Sequence, residues 1–344
     1  MKGVVLERGT GGRGLRAVVA DLRTPGLSPG DILVDMKACG LCGTDLEKLR
    51  GEYTASSPVL GHEAVGVVSA VAGKTSGIRV GDRVFPHHHV PCGRCGLCRW
   101  GSQTMCQDYR KSNLDPGGFS EAFRVPSWNV RRGGVLRLPD KFSFDDATMV
   151  EPVACCLRAI RRCGVSSGDT VLVVGAGPVG ISHAIVLRSM GAVVLLSDFN
   201  ESRLAFARRM GVEDTLGAGD DLHERVSEAT DGRGTDFTIV AAGSPEAVVQ
   251  GLRSVRRGGT LCLFGVPMKG RRLEYDLSDI YNSEVSIVSS YGATETETRE
   301  ALKLLSSGRV RLGKLVTAKY RLEDFGDAVK AAEGGHEMKV LLTP

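Results

Sequence analysis

The sequence lacks long hydrophobic runs, an excess of one charge and an abundance of aromatic residues. No stretch approaches the roughly 20 apolar residues that a membrane-spanning helix needs, so we expect no membrane span. Lys and Arg number 44 against 40 Asp and Glu, a balance that does not favour a nucleic-acid-binding protein. Aromatic residues contribute only 5%, but apolar residues reach 42%, which excludes disorder for most of the chain.

The length and the N-terminal segment narrow the class of protein further. A chain of 344 residues is long enough for two domains or one large domain. The segment MKGVVLERGTGG carries Glu7 and has no long apolar core. We therefore expect no secretory signal peptide and a cytosolic location.

Cysteine is the most informative part of the composition. Of the ten cysteines, four follow the spacing Cys-x2-Cys-x2-Cys-x7-Cys, which in a cytosolic chain indicates metal ligation rather than disulfides. Four thiolates match a closed, structural zinc site. An iron–sulfur cluster is the alternative, but no electron-transfer partner motif accompanies the cysteines. The predicted zinc ligands are Cys92, Cys95, Cys98 and Cys106.

The predicted secondary structure changes near residue 151. Before it, short β-prone runs such as DILVDMKA and AVGVVSAV are interrupted by turns rich in Gly and Pro, which predicts an irregular β-barrel or sandwich. After it, apolar runs alternate with helical segments, which predicts a parallel sheet covered by helices. The last segment is predicted to form helices and a closing strand. The fold class is therefore α/β.

A glycine-rich turn follows the apolar run VLVV and begins a predicted helix. Gly175, Gly177 and Gly180 form the pattern G-x-G-x-x-G, which allows a tight turn, close approach of a pyrophosphate and close helix packing. Asp198 ends the next predicted strand, where a carboxylate binds ribose hydroxyls and repels a 2′-phosphate, so NAD is favoured over NADP. Arg203 either softens this preference or stacks near the adenine. The candidate cofactor-binding residues are Gly175, Gly177, Pro178, Val179, Gly180, Asp198, Arg203, Ala242 and Val266.

Further motifs accompany the glycine-rich turn and the four cysteines. They are CGTD at 42–45, GHE at 61–63, VGDRV at 80–84, GGFSE at 117–121, VEP at 150–152 and GAGPVG at 175–180. In this order and spacing, the chain resembles the zinc-dependent medium-chain dehydrogenase/reductase family over nearly its whole length. Within that family it is similar to the branch of polyol and threonine dehydrogenases.

The resemblance implies a discontinuous architecture. A GroES-like β-barrel catalytic domain is expected over 1–150, with a structural zinc lobe at about 90–110. A Rossmann domain with a doubly wound parallel sheet is expected to bind NAD over 151–290, and 291–344 to complete the catalytic domain. The edge of the Rossmann sheet, roughly EVSIVSSY, pairs across a two-fold axis in this family, which implies a homodimer or homotetramer.

The resemblance also implies a catalytic zinc site, and so two zinc ions per chain. Cys42 and His62 correspond to the family's pair of zinc ligands, and Glu63 to a glutamate that binds zinc directly or through water in the polyol branch. Glu151 occupies the position of a second cysteine in classical alcohol dehydrogenases, so the site is expected to be richer in oxygen. Asp45 corresponds to the acid that orients the His62 ring.

Two further residues are implied to act in proton transfer. Thr44 corresponds to the residue that takes the hydroxyl proton of the substrate. Classical members carry a relay histidine five residues after the first zinc cysteine, where this chain has Glu47. Either Glu47 relays the proton, or it is a surface glutamate of a helix.

Three adjacent histidines, His87, His88 and His89, precede the four-cysteine lobe. Alternate residues of a strand point to opposite faces, so three in a row are not expected to bind one ion. Threonine dehydrogenases have a histidine at the position of His89. A pair of them stays open as metal ligands. His89 is expected either to line the substrate cleft or to be an ordinary polar residue, and His87 and His88 are weaker candidates for the cleft.

The function that the resemblance implies is hydride transfer between a secondary alcohol and NAD. A polyol, sugar alcohol, cyclitol or amino alcohol fits as the substrate, and neither nucleic acid nor a membrane is an expected partner. L-threonine 3-dehydrogenase and an NADP-linked ketone reductase are the alternatives within the family. A non-catalytic nucleotide-binding protein is the alternative of another class.

Overall fold

The computed structural model describes residues 1–8, 15–51, 59–267 and 269–344. These residues divide into two compact units, Met1–Ala154 with Ala293–Pro344, and Cys155–Gly292. The predicted domain boundaries follow residues 150 and 290, and a helix, Val150–Cys163, runs through the first of them. No helix in the described residues is both long enough and apolar enough to cross a membrane.

The strands and helices are numbered in chain order. The strands are β1 (Lys2–Arg8), β2 (Leu15–Asp21), β3 (Ile32–Gly40), β4 (Glu63–Val71), β5 (Arg83–Pro86), β6 (Ala122–Val125), β7 (Val135–Arg137), β8 (Thr170–Val174), β9 (Val193–Asp198), β10 (Thr215–Gly217), β11 (Thr235–Val240), β12 (Val255–Leu263), β13 (Ser286–Ser289), β14 (Val316–Arg321) and β15 (Lys339–Thr343). The α-helices are α1 (Gly43–Leu49), α2 (Gly96–Arg99), α3 (Ser127–Arg131), α4 (Phe144–Thr148), α5 (Val150–Cys163), α6 (Pro178–Ser189), α7 (Glu201–Arg209), α8 (Leu222–Ala229), α9 (Pro245–Ser254), α10 (Leu277–Ser283), α11 (Glu295–Ser306) and α12 (Phe325–Glu333). Short 3-10 helices span Gln103–Met105, Gly313–Leu315 and Leu322–Asp324.

The first unit is built on a largely antiparallel sheet. Its strand order is β14-β15-β3-β4-β5-β7, and β6 also pairs with β3. The first half of β3 pairs with β6 and its end pairs with β15, so the C-terminal strand completes this sheet beside β3. Phe119, Phe123 and Phe325 are at most 3% exposed in its core, where buried aromatic surface stabilises the fold.

The second unit contains a six-stranded parallel sheet in the order β10-β9-β8-β11-β12-β13. Numbered within the unit, this is the order 3-2-1-4-5-6 of the Rossmann fold. The central strand β8 is buried along its whole length, because a parallel sheet of this kind is covered on both faces. The edge strand β13 has no further strand partner among the described residues.

Candidate active site

A thiol, an imidazole and a carboxylate come together where β3 pairs with β4. The last residue of β3, Gly40, pairs with Glu63, the first residue of β4. Cys42 and His62 lie just beyond these two strand ends. The ligand atoms of Cys42, His62 and Glu63 all lie within 4.8 Å of one another. This donor set is one that Zn²⁺ accepts in catalytic sites, so the three residues fit the predicted ion.

The first turn of α1 orients two of these residues. Cys42 is the N-cap of α1, and its N–H donates a hydrogen bond to Oδ2 of Asp45 at 3.2 Å. Oδ1 of Asp45 lies 3.5 Å from Nδ1 of His62. Burial raises the pKa of the Asp45 carboxyl, but His62 outweighs this effect and holds the pKa below its ordinary value. With Nδ1 facing an ionised carboxylate, Nε2 is the ring nitrogen of His62 left for a metal.

The four predicted thiolate ligands form a second cluster, after β5. The Sγ atoms of Cys92, Cys95, Cys98 and Cys106 all lie within 4.8 Å of one another. The Sγ of Cys98 is 3.5 Å from that of Cys95 and 3.9 Å from that of Cys92, and a ZnS₄ tetrahedron has edges of about 3.8 Å. Backbone N–H groups of Arg94 and Cys95 lower the pKa of the Cys92 thiol to about 6. The cluster therefore fits a structural zinc ion.

The glycine-rich turn joins β8 to α6 in the second unit. Gly175 has a φ of +106°, which residues with a side chain rarely adopt. A Cβ at Gly180 would lie 1.7 Å from the carbonyl oxygen of Gly175, so only glycine fits there. A Cβ at Gly177, the N-cap of α6, would meet nothing within 4 Å, and Pro178 follows it. This open backbone at a helix N-terminus is a cradle that fits a pyrophosphate.

Asp198 lies at the carboxyl end of β9, beside the glycine-rich turn. Its carboxylate accepts hydrogen bonds from the N–H groups of Ala176 at 2.7 Å and Asn200 at 2.8 Å. The guanidinium of Arg203 lies 3.9 Å from the same carboxylate. The two backbone hydrogen bonds hold the carboxyl group at the turn where the ribose of a bound dinucleotide lies in Rossmann folds.

Two further predicted cofactor residues follow the next strands of this sheet. Ala242 adjoins the glycine-rich turn, since its backbone nitrogen is 3.4 Å from the position that a Cβ of Gly175 would take. Val266 lies against Gly243, since its carbonyl oxygen is 2.3 Å from the position that a Cβ of Gly243 would take. The ends of β8, β11 and β12 therefore meet at one edge of the sheet, which is where parallel sheets bind nucleotides.

Comparisons with known proteins agree with this geometry. Residues 28–140 match the family described as alcohol dehydrogenase GroES-like domain, and residues 178–307 match the family described as zinc-binding dehydrogenase. The chain is 31% identical to a sorbitol dehydrogenase of Halalkalibacterium halodurans, over 93% of this chain and 94% of that protein. It is 32% identical to a D-altritol 5-dehydrogenase of Agrobacterium fabrum, over 90% of each. The chain belongs to the zinc-dependent medium-chain dehydrogenase/reductase family.

The predicted family and fold class of this dehydrogenase are thereby confirmed. Its structure is similar to that of a zinc-binding dehydrogenase from Sinorhizobium meliloti bound to NADP. The TM-score is 0.89 at 28% identity, and the match covers 100% of this chain and 99% of the other. The GroES-like and Rossmann parts that the resemblance implies are both present.

A buried lysine lies beside the candidate zinc site of this dehydrogenase and was not predicted from the sequence. Lys339, the first residue of β15, is 4% exposed, and its ammonium group is ion-paired with the carboxylate of Glu63, which is 1% exposed. It also donates a hydrogen bond to the carbonyl of Leu41 at 3.2 Å. Burial lowers the pKa of Lys339, but Glu63 and Cys42 outweigh this effect and raise it. Lys339 therefore balances the negative charge of Glu63 beside the candidate zinc ligands.

Glu151 lies close to this ion pair without joining the tight donor set. It is 7% exposed in the first turn of α5. Among the described residues, the set with ligand atoms within 4.8 Å of one another contains Cys42, His62 and Glu63 but not Glu151. Burial raises the pKa of Glu63, and the charge of Glu151 adds to this rise and to the raised pKa of Lys339. Its role as a zinc ligand stays a prediction.

The three adjacent histidines follow β5 in an irregular segment, so the alternation of a strand does not govern them. His87 is fully buried, and its Nδ1 lies 3.2 Å from Oε1 of Glu295. Nδ1 of His89 lies 2.7 Å from the carbonyl oxygen of Ser112, to which it donates. Burial lowers the pKa of His89 to about 4. The predicted place of His89 in a substrate cleft stays untested by these contacts.

His88 is the histidine of this segment whose ring lies beside His62. The two ring centroids are 5.2 Å apart. Burial lowers the pKa of His88 well below its ordinary value, and the charges of the nearby histidines lower it further. His89 is favoured over His88 from the sequence, because threonine dehydrogenases have a histidine at its position. The sequence does not reveal the bend that places the ring of His88 beside His62.

The predicted proton-transfer residues both lie on α1, next to Cys42. Thr44 is partly buried in the first turn, and Glu47 is partly buried one turn further on. Their position on the helix that begins at the metal ligand is compatible with the predicted roles, which stay predictions.

Proposed function

We propose that this protein is an NAD-dependent, zinc-containing dehydrogenase that oxidises a secondary hydroxyl group of a polyol or sugar alcohol. The observation that carries the proposal is the close set of Cys42, His62 and Glu63 in a chain whose other unit has a Rossmann nucleotide cradle. The relatives compared above are named for polyols, which favours this class over threonine. A second ion held by the four-cysteine cluster would be structural.

Cys42 and His62 would hold the catalytic zinc, together with the carboxylate of Glu63 or Glu151. When bound, Zn²⁺ supplies a Lewis acid that lowers the pKa of the substrate hydroxyl toward neutrality. Asp45 keeps the ring of His62 in the orientation that metal binding needs. Carboxylates are harder ligands than thiolates. A zinc site with one thiolate and a carboxylate therefore suits an oxygen-rich substrate better than a site with two thiolates.

Thr44 would accept the hydroxyl proton of the substrate. Glu47, one turn further along α1, is the carboxylate available to pass that proton on. A carboxylate acts as a general base only where its geometry allows contact with the proton it takes. The chain has no histidine at position 47, so Glu47 is our candidate for this step.

NAD would bind to the glycine-rich turn, and its nicotinamide supplies the hydride acceptor. Gly177 and the first N–H groups of α6 would bind the pyrophosphate. The carboxylate of Asp198 would bind the ribose hydroxyls and disfavour a 2′-phosphate, so we propose NAD rather than NADP. Arg203 lies close enough to Asp198 to weaken that preference.

We propose further that the protein forms a homodimer or homotetramer through the exposed edge of the second unit. Ile287 of β13 is 42% exposed, and Leu277 and Tyr281 of α10 are 77% and 83% exposed. An unpaired edge strand with apolar neighbours is a template for pairing with a second copy. Light scattering of wild type and Ile287→Lys tests this, and a monomeric wild type would contradict it. The expected cytosolic location stays a prediction.

The main test is the reduction of NAD⁺ and NADP⁺ across a panel of polyols, cyclitols, sugars, threonine and simple secondary alcohols. The proposal predicts NAD⁺-linked turnover of a polyol or sugar alcohol, lost on chelation. Turnover of threonine alone would place the protein in the other branch. The absence of turnover with every alcohol would overturn the proposal.

A further inference from the structure

His88 stands out among the residues around the candidate zinc site that have no assigned role. Its ring centroid lies 5.2 Å from that of His62, a predicted zinc ligand, and 4.2 Å from that of His89. The side chain is partly exposed. A ring in this position can contact a molecule that binds on the same side of His62.

A buried nitrogen of His88 has no hydrogen-bond partner. Nδ1 of His88 makes no hydrogen bond within the described part of the chain, although it is shielded from solvent. Nδ1 is paired in both neighbouring histidines, since Nδ1 of His87 faces Glu295 and Nδ1 of His89 donates to the carbonyl of Ser112. Nε2 of His87 is also without a partner among the described residues, but the ring of His88 is the one that lies beside His62. Buried polar atoms are rarely left unpaired in native proteins. The unpaired nitrogen therefore points to a partner outside the described residues, and a bound substrate is such a partner.

The chemistry of the ring indicates the kind of partner. Depending on the tautomer, Nδ1 of His88 either donates or accepts one hydrogen bond, and a hydroxyl group is a suitable partner in both cases. A carboxylate can only accept from this nitrogen, and an ammonium group can only donate to it. A second hydroxyl group of a polyol, next to the carbon that is oxidised, meets the requirement.

We propose that His88 is a specificity-determining residue that hydrogen-bonds a second hydroxyl group of the substrate. This inference rests on the proposed oxidation of a polyol at the zinc site. It explains how the site would distinguish a vicinal diol from a simple secondary alcohol of the same length. A site built to hydrogen-bond a hydroxyl group discriminates strongly against an analogue that lacks it, because the buried polar atom is then left unpaired.

The test compares 2,3-butanediol with 2-butanol, which differ by one hydroxyl group next to the reacting carbon. We measure kcat and KM with NAD⁺ for wild type, His88→Phe, which keeps the size of the ring, and His88→Asn, which keeps a donor and an acceptor. We expect His88→Phe to lower kcat/KM for the diol by about 10-fold or more, mainly through KM, with 2-butanol changed by less than about 3-fold. His88→Asn should restore most of the preference for the diol.

Two controls separate this role from a structural one. His223→Phe alters a histidine exposed on α8 and should leave the ratio of the two substrates unchanged. Zinc content should be the same in all variants. An equal loss with both substrates in His88→Phe, or no change in their ratio, would overturn the role of His88 while leaving the proposed function intact. A wild type that oxidises no alcohol of the wider panel would overturn both.

Discussion

The two units of this dehydrogenase assemble their candidate sites by opposite means. In Cys155–Gly292, the nucleotide cradle consists of strand ends that lie side by side in one parallel sheet, and most of it is a single turn, 175–180. In the other unit, the candidate zinc ligands Cys42, His62 and Glu63 lie beside Lys339, which comes from a distant part of the sequence. The cradle is mainly backbone, whereas the zinc site is a set of buried and partly buried ionisable side chains. The side chains of the zinc site depend on one another for charge balance. Substitutions in the zinc site should therefore lower activity and stability more than substitutions in the cradle.

The largest expected effect is on activity, when a zinc ligand of the first unit is removed. Cys42→Ala should lower kcat/KM by about 1,000-fold or more, because the ion provides several kcal/mol of transition-state stabilisation. Cys163→Ala, at a partly exposed cysteine of the second unit, is the matched control and should retain activity. Activity of Cys42→Ala close to wild type would show that Cys42 is not a catalytic ligand.

The next effect concerns the buried ion pair of the first unit. Lys339→Met leaves Glu63 buried without its partner, which should lower the free energy of unfolding by about 3–5 kcal/mol in urea titrations. Adding Glu63→Gln to this variant should recover part of the loss, since no unpaired charge then remains. Lys319→Met is the control, because the Lys319–Asp145 pair is about half exposed and should contribute at most about 1 kcal/mol. Equal losses in the free energy of unfolding for Lys339→Met and Lys319→Met would contradict the special role of the buried ion pair.

A smaller effect is expected for the cradle of the second unit. Asp198→Ala should raise KM for NAD⁺ by about 10- to 100-fold, which corresponds to the loss of charge-assisted hydrogen bonds of about 1.5–3 kcal/mol. KM for NADP⁺ should fall or stay constant, so the preference between the two cofactors narrows or reverses. Asp214→Ala, at a side chain that is 60% exposed, serves as the control. Unchanged KM values for both cofactors would contradict the role of Asp198.

The smallest effect is an acid sensitivity of the second unit. His183 of α6 is fully buried, and neither of its ring nitrogens has a hydrogen-bond partner among the residues that the structure describes. Burial lowers its pKa to about 3. Between pH 6.5 and 3 the unfolded chain takes up a proton at this residue and the folded chain does not, so stability falls as the pH falls. At pH 5.5 the loss relative to pH 8 should be about 1.4 kcal/mol.

His183→Leu should remove this part of the pH dependence, as measured by urea unfolding at pH 8 and pH 5.5. His223→Leu, at an exposed histidine, should keep the pH dependence of wild type. If wild type and His183→Leu lose the same stability between the two pH values, the buried ring is not the cause.

The same contrast explains what could be predicted from the sequence. The glycine-rich turn and the four cysteines are local patterns, so their residues and their chemistry follow from spacing alone. Cys42, His62 and Glu63 required the resemblance to a family, because β3–β4 pairing rather than sequence neighbourhood brings them together.

Lys339 and His88 escaped prediction for a physical reason. Lys339 reaches the site through the pairing of β15 with β3, and in the sequence it is only the first residue of an apolar run. The ring of His88 is placed by an irregular segment after β5, which no periodic pattern describes. A lysine at the start of a buried strand was the one available signal for a buried ion pair.

The most direct test of the account measures zinc per chain and NAD⁺-linked oxidation of polyols in the same preparations. Wild type, Cys42→Ala and a chelated sample are compared by elemental analysis and by NADH absorbance. The account predicts two zinc ions per chain in wild type, one in Cys42→Ala, and polyol oxidation only where the second ion is present. Two zinc ions in Cys42→Ala, or polyol oxidation that does not depend on the second ion, would contradict it.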